Sequence, residues 1–412
     1  MKFDRKKDYK KTELGYIPND WKIETLSNVS NCFVGIASSI THAYRNQGVL
    51  LVRNQNIKDG KIKLDDVLFL DEKYEQQHTS KRLKQGDILT VRTGYPGISA
   101  VVPNELINCQ SFTTLITRIT SPSITSDFLC YFINSSKGRS FFSGAQAGGA
   151  QKNVGAKILE QFRFPLPPLP EQKKIAEILT SVDKTIESTR KVIEQTKRVK
   201  QGLLQKLLTR GIGHTKFKKT EIGDIPKEWD FSRIKDCCIV ENNKRKPINA
   251  NQRRLIKGIY PYYGPTGIID YINEYRLCGS YVLIGEDGDH FLKYKDWSMT
   301  QLVSGKFNVN NHAHIIKGTN YCSTEWIYYF FKHRNIFSFL TRQGAGRYKL
   351  NKASLLDLPL AIPKIQEQKE IVIKLTSVDK IVLAYEKELS QLQQLKKGLM
   401  QDLLSGTVRV KV

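Results

Sequence analysis

The sequence predicts an α+β chain in which two similar mixed domains alternate with two long helices that pair as an antiparallel coiled coil. Three observations carry this. The hexapeptide LTSVDK occurs at 179–184 and again at 375–380. Around each copy, apolar residues recur at alternating spacings of four and three for about five heptads. Each of these stretches opens on proline and closes on glycine, the punctuation of a helix.

The repeat extends well beyond six residues, and a repeat this long decides the fold before any local pattern does. At the same offset of 196, Glu171-Gln172-Lys173 matches Glu367-Gln368-Lys369, and Lys200-Gln201-Gly202-Leu203 matches Lys396-Lys397-Gly398-Leu399. At offset 208, KKTELGYIPNDW (10–21) matches KKTEIGDIPKEW (218–229). Weaker pairs fall between: NCQSFTTLI (108–116) with NVNNHAHII (308–316), and SDFLCYF (126–132) with TEWIYYF (324–330). The boundaries that follow are a first domain at 1–168, a first helix at 169–211, a second domain at 212–364, and a second helix with its tail at 365–412.

The first domain opens on a basic tract (Lys2, Arg5, Lys6, Lys7, Lys10, Lys11), which reads equally as a phosphate-tracking arm or a solvated tail. Trp21 and Trp229 each follow Ile-Pro and precede an alternating stretch, so both are expected as core anchors and not as base-stacking platforms. The first helix presents a seam at Ile175, Leu179, Val182, Ile186, Ile193, Leu203 and Leu207. The second presents Ile371, Leu375, Val378, Val382, Tyr385, Leu389, Leu392, Leu399 and Leu403. Lys200 and Lys396 occupy one equivalent seam position, where a polar residue fixes register at a cost in stability. FRFPLPPLPEQ and LAIPKIQEQ mark the helix starts, and Gly211 and Gly406 mark the stops. Each helix of about 38 residues would be roughly 57 Å long. Paired antiparallel, the helices would hold the domains about 50 Å apart, more than the ~34–36 Å of one DNA turn.

Composition narrows the function. A net charge of +25 and a pI near 9.6 point to a polyanionic partner, nucleic acid first. A lysine-rich chain can also reflect an AT-rich genome, so charge alone does not decide. The seven cysteines (Cys32, Cys109, Cys130, Cys237, Cys238, Cys278, Cys322) form no C-x-x-C pair, which suits buried thiols in a reducing cytosol and neither zinc nor disulfides. No apolar run reaches membrane-spanning length and no signal peptide is evident, so a cytoplasmic protein is expected, with no membrane partner.

Catalytic motifs are missing. There is no Asn/Asp-Pro-Pro-aromatic motif for holding a flipped adenine and no phosphate-binding G-x-x-x-x-G-K-[ST] loop. Glu286-Asp287-Gly288-Asp289-His290 could be read as a nuclease metal site, but a loop tip or a base-contacting loop is the better reading. His312 and His314 form a metal pair only on paper, since no third ligand is in sight. GAQAGGA (144–150) lacks dinucleotide-loop spacing.

The openings around Ile17-Pro18/Trp21 and Ile225-Pro226/Trp229, the LPPLPEQ segment (166–172), the helix ends KQGLLQKLL and KKGLMQDLL, and the closing GTVRV (406–410) together resemble the specificity subunit of a bacterial type I restriction–modification enzyme. The match runs from residue 10 to 410. The resemblance implies that each domain is a target-recognition domain reading one half of a bipartite, asymmetric double-stranded DNA site. It implies helices that set the spacing and dock two methyltransferase (modification) subunits, with motor–nuclease (restriction) subunits joining for cleavage. S-adenosylmethionine, ATP and Mg2+ would bind those partners, leaving this chain non-catalytic and without cofactor or metal. A single-chain nuclease or methyltransferase, or a coiled-coil scaffold without sequence specificity, are the alternatives.

Base reading needs Arg, Lys, Asn or Gln donors near the duplex, above sequence-blind phosphate contacts. In the first domain the candidates are Arg53 and Gln55 after the GVLLV strand, Arg92, Thr93 and Tyr95 after GDILTV, and Gln146, Gln151 and Lys152 in the glycine-rich stretch. In the second they are Tyr263, Asp287, His290, Arg342, Gln343, Arg347, Tyr348 and Lys349.

Overall fold

The computed structural model describes residues 8–58, 60–147, 153–343 and 347–411. It divides into two compact units: residues 1–190 with 387–412, and residues 191–386. Each unit therefore combines one domain with a segment of both long helices.

In the first unit the chain enters through a hairpin, Tyr9–Thr12 with Gly15–Pro18. Lys22–Thr25 then pairs with Arg163–Leu166 just before the first long helix. Between them lie two four-stranded sheets. One is antiparallel in the order 99–101, 88–90, 115–119, 30–34. The other runs 110–112, 49–53, 68–70, 44–45, with its first two strands parallel. The helix Ser126–Asn134 is capped by the Thr125 hydroxyl and buries Phe128 and Phe132 among Trp21, Phe162 and Phe164. Onto this core pack Ile175 and Leu179 of the first long helix and Leu403 and Leu404 of the second.

The second unit repeats the frame. Phe217–Thr220 and Gly223–Pro226 form the hairpin, and Asp230–Arg233 pairs with Pro359–Ile362. The interior differs: one six-stranded sheet in the order 239–240, 313–317, 277–285, 300–309, 257–263, 268–272. The helix Thr324–Lys332, capped by Ser323, sets Trp326 edge-on against Trp229. Leu204, Leu207 and Leu208 meet Ile371 and Leu375 beneath them.

The tryptophan anchors explain the repeated Glu-Gln pairs. Trp21 Nε1 donates to the buried Glu171 carboxylate at 2.9 Å, and Trp229 Nε1 to Glu367 at 3.0 Å. Arg409 of the closing GTVRV grips Glu171 and Asp20, while His214 takes the matching place beside Glu367. Gln172 accepts from the Thr125 N–H and donates to the carbonyls of Ser123 and Pro167; Gln368 does the same with Ser323, Tyr321 and Pro363. Each glutamine thus satisfies backbone groups that burial would otherwise leave unpaired.

The long helices run Leu169–Arg210 and Ile365–Leu404, 42 and 40 residues. Both stops are left-handed glycines, Gly211 at φ 63° and Gly406 at φ 72°. A side chain at Gly211 would meet Glu367 and the Trp229 ring, and one at Gly406 would meet Pro18. All the seam residues are buried or half-buried. Near the helix ends the buried face widens to take in Leu204, Leu208 and Leu404, because there the helices also cover a domain core.

Within each unit the two helix segments are antiparallel and share the same lysine–aspartate node, to which the second unit adds the exposed pair Lys197–Glu386 at 2.6 Å. In the first unit Lys396 pairs with Asp183 at 2.6 Å, and Asp183 also accepts from the Tyr131 hydroxyl at 2.9 Å. In the second, Lys200 pairs with Asp379, which accepts from Tyr329 at 3.0 Å and from Lys332 at 3.1 Å. The seam lysines are therefore not solitary polar residues: each meets the aspartate of the opposite LTSVDK.

Candidate nucleic-acid interface

In the first unit, three loops leave the strand ends side by side, and Asn54 ties them together. Its Nδ2 donates to the Thr93 hydroxyl at 3.1 Å and to the Thr113 hydroxyl at 3.2 Å, while its Oδ1 accepts from the Arg92 N–H at 3.0 Å. Thr113 holds the third loop in a left-handed conformation at φ 54°, which is costly for a β-branched residue. Arg53 is held by Asp66 at 3.1 Å, and Gln55 donates to the same carboxylate.

Arg92 differs from its neighbours. Its side chain is half-buried, and its Nε, like that of Arg53, is shielded from solvent with no hydrogen-bond partner. Arg45, Arg53, Arg82 and Arg118 in the same domain each face a carboxylate. A donor left unpaired costs about 1–3 kcal/mol, more when charged. Tyr95 stands on the same loop, 82% exposed. Gln146 lies on the helix Ser136–Ala147, but its side chain, like Gln151 and Lys152 entirely, lies outside the described residues.

In the second unit the candidate loops also converge. The hairpin Thr341–Gln343/Arg347–Lys349 lays its return strand along the acidic turn: the Gly288 N–H donates to the Tyr348 carbonyl and the Leu350 N–H to the Glu286 carbonyl. Glu286 is paired with Arg245 at 2.6 Å and Lys349 at 3.4 Å, and Asp287 with His312 at 2.6 Å. Glu286 and Asp287 of the acidic turn are thus both held by neighbouring side chains. Arg245, missed in the sequence because it lies 41 residues from Glu286, is part of this network.

His312 and His314 have separate partners. His314 is fully buried between Asn242 at Nδ1 (2.8 Å) and the Leu350 carbonyl at Nε2 (2.7 Å), which sets Nε2 as its protonated nitrogen. Burial pushes its pKa down, so it stays neutral. His290 is also buried, 8% exposed, against the Phe291 ring, and burial lowers its pKa too. It offers no exposed donor at this surface.

Arg342 is exposed, stacks its guanidinium over Tyr348 and donates to the Tyr348 hydroxyl at 3.3 Å. Tyr348 and Lys349 are half-buried, as is Tyr263, which packs edge-on against Phe307. Gln343 and Arg347 face one another in the hairpin register, their side chains outside the described residues.

The family model described as "Type I restriction modification DNA specificity domain" matches residues 18–198 and 226–396. Along the whole chain and 99% of the relative's length, the sequence is 26% identical to the putative type I restriction enzyme MjaX specificity subunit of Methanocaldococcus jannaschii. Over 145 residues, about a third of either chain, it is 36% identical to a putative type I restriction enzyme specificity subunit of Haemophilus influenzae. The fold resembles the type I restriction–modification S subunit of M. genitalium (TM-score 0.60, 14% identity, 93% of this chain and 96% of that one). It also resembles a chain solved in a study of complex assembly and conformational transition of the type I R-M system (TM-score 0.56, 16% identity, 95% and 99%).

Proposed function

This chain belongs to the family of type I restriction–modification DNA specificity subunits, and from that premise we propose how its parts divide the work. The chain is the non-catalytic, sequence-reading subunit of a restriction–modification complex. Each domain reads one half of a bipartite asymmetric DNA target, and the long helices set the spacing and dock two methyltransferase subunits. Motor–nuclease subunits complete the assembly for cleavage. S-adenosylmethionine, ATP and Mg2+ belong to those partners.

One observation carries the reading. Both units use the same Trp-Glu-Gln frame, yet the loops mounted on it differ in sheet order and in chemistry. A common frame with different loops suits two different half-sites. In the first domain Arg92, beside Arg53 and Thr93, is the favoured base-reading group; in the second it is Arg342 with Tyr348 and Lys349.

The test is methylation mapping of DNA from cells carrying this chain with its methyltransferase partner. One split motif with two unlike halves is expected. Replacing residues 216–362 with the matching domain of a relative should change one half only. A single contiguous motif, or a change in both halves, would overturn the proposal, as would methylation by the chain alone.

A further inference from the structure

We propose that Cys237, Cys238 and Cys322 form a three-thiolate site for a soft, thiophilic cation in the second unit. The sequence spacing suggests no metal site, because Cys322 lies far from the adjacent pair. Folding brings the three sulfurs within 4.8 Å of one another. The Cys237 and Cys238 sulfurs are 3.6 Å apart. A cation holding three sulfurs at ~2.3 Å would space them by roughly 3.8–4.0 Å, so only small side-chain adjustments are required. Among the described residues no other group of three His, Cys, Asp or Glu side chains converges in this way.

The backbone holds the sulfurs in place before any ligand arrives. Cys237 ends the short helix Ile234–Cys237, and Cys322 directly precedes Ser323, the cap of Thr324–Lys332. The Thr319 hydroxyl donates to the Cys237 carbonyl at 3.1 Å, and Gln368 fixes the loop through Tyr321 and Ser323. Cys237 and Cys322 are 3% and 0% exposed, while Cys238 is half-buried. No carboxylate or imidazole belongs to the group, so its all-sulfur donor set favours Cu(I), Cd(II) or Zn(II) over Mg2+ or Ca2+.

Thiols also pack as small apolar residues, and the first unit shows that such packing does not require sulfur. By the repeat, Val29, Ser30 and Ile124 stand where Cys237, Cys238 and Cys322 stand in the second unit, and Val29 and Ile124 are buried in the same kind of core. The frame folds without cysteine here, so three convergent thiols are an addition particular to this unit. On binding, each thiol gives its proton to solvent and its sulfur to the cation. The Cys237 thiol gives up its hydrogen bond to the Arg233 carbonyl, and binding weakens as pH falls.

The full chain, reduced and stripped of metal, is titrated with cadmium while thiolate-to-cadmium charge-transfer absorption, intact mass and thermal midpoint are followed. One tightly held equivalent per chain is expected, with a midpoint that rises by mass action. The triple variant Cys237→Val/Cys238→Ser/Cys322→Ile, which copies the first unit, should keep its far-ultraviolet spectrum and lose that equivalent. If the triple variant fails to fold, Cys322→Ile alone must show the loss. Absence of the absorption band, or equal binding by the variants, would overturn the proposal. So would an isolated chain two hydrogens lighter and metal-free, which would make the group a disulfide.

Discussion

The two polar nodes between the long helices differ by one charge, and that difference is measurable. Asp379 faces Lys200 and Lys332, whereas among the described residues Asp183 forms its ion pair with Lys396. The repeat places Asn134 where Lys332 stands, and Asn134 spends its amide on the carbonyls of Ser99 and Cys130. Lys332 is the most buried lysine of the set, its side chain 9% exposed. Asp379→Asn keeps an acceptor for the Tyr329 hydroxyl but leaves two ammonium groups without a counter-charge. Breaking a buried pair costs about 3–5 kcal/mol; with Asp379 a quarter exposed, about 2–3 kcal/mol is the reasonable scale here. Asp183→Asn strands one lysine in a similar setting and should cost about half as much.

Amide hydrogen exchange, resolved by peptide, reads each site separately and avoids assuming that the chain melts in one step. Segments 370–385 in Asp379→Asn should lose about 1 kcal/mol more protection than segments 175–190 in Asp183→Asn, roughly a fivefold difference in opening. Adding Lys332→Met, which keeps a flexible apolar stem against Tyr328 and Tyr329, should remove that excess. Equal losses at the two sites, or no coupling between Asp379 and Lys332, would refute the assignment of the extra cost to Lys332.

Other tests reach different parts of the chain. Gln368→Ala leaves one buried N–H and two carbonyls without partners and should cost about 2–4 kcal/mol in the second unit, read as its urea midpoint. Arg92→Ala should cost about 1–3 kcal/mol of discrimination at one base of the first half-site, and Arg92→Lys should not restore a bidentate contact; methylation mapping reads both. Acid should loosen the second unit first. His290, His314 and His333 have pKa values lowered mainly by burial, so the unfolded chain takes up protons that the folded one refuses. Their stabilising contribution is complete above the unfolded value of about 6.5 and is lost as pH falls from there toward the folded values. Exchange protection in the second unit should therefore drop between about pH 7 and 5.5, and a flat profile would count against buried neutral histidines. Asp379 acts at lower pH: burial raises its pKa, Lys200 and Lys332 outweigh burial, and its contribution fades below about pH 4.

The helices, the tryptophan anchors and the doubled architecture were legible because each rests on periodicity or on local identity. Trp21 and Trp229 could be placed in the cores from Ile-Pro and the alternation that follows. The glutamates and glutamines of the repeat were visible only as matching letters. Apart from the nearby proline carbonyls, their partners lie 45 to 238 residues away, and no local pattern signals that Gln172 will reach Thr125 or that Glu171 will reach Trp21. The same holds for Asn54, whose partners Arg92, Thr93 and Thr113 come from two other loops, and for the cysteines that the second domain gathers from before the first and after the last strand of its sheet. Burial of His290 was not legible either, since an Asp-Gly-Asp-His turn looks exposed until Phe291 is seen against it.

The duplicated hexapeptide acquires a sharper role from the ion pairs. Each unit takes its aspartate from one copy of LTSVDK and its lysine from the far end of the other helix, with the same tyrosine-hydroxyl support. Position numbers in the two pairs add to the same value, as an antiparallel register requires. The pairing therefore works only if both helices carry both halves of it, aspartate early and lysine late. A helix altered in either half would disturb one unit and leave the other paired, so the two copies must stay matched for the register to hold in both. The loops carry no such constraint: Arg92 on one frame and Arg342 on the other, the proposed base-reading groups, are free to differ. Sameness in the helices and difference in the loops are thus two consequences of one arrangement, and a domain exchanged at 216–362 would meet the same Trp-Glu-Gln frame it left.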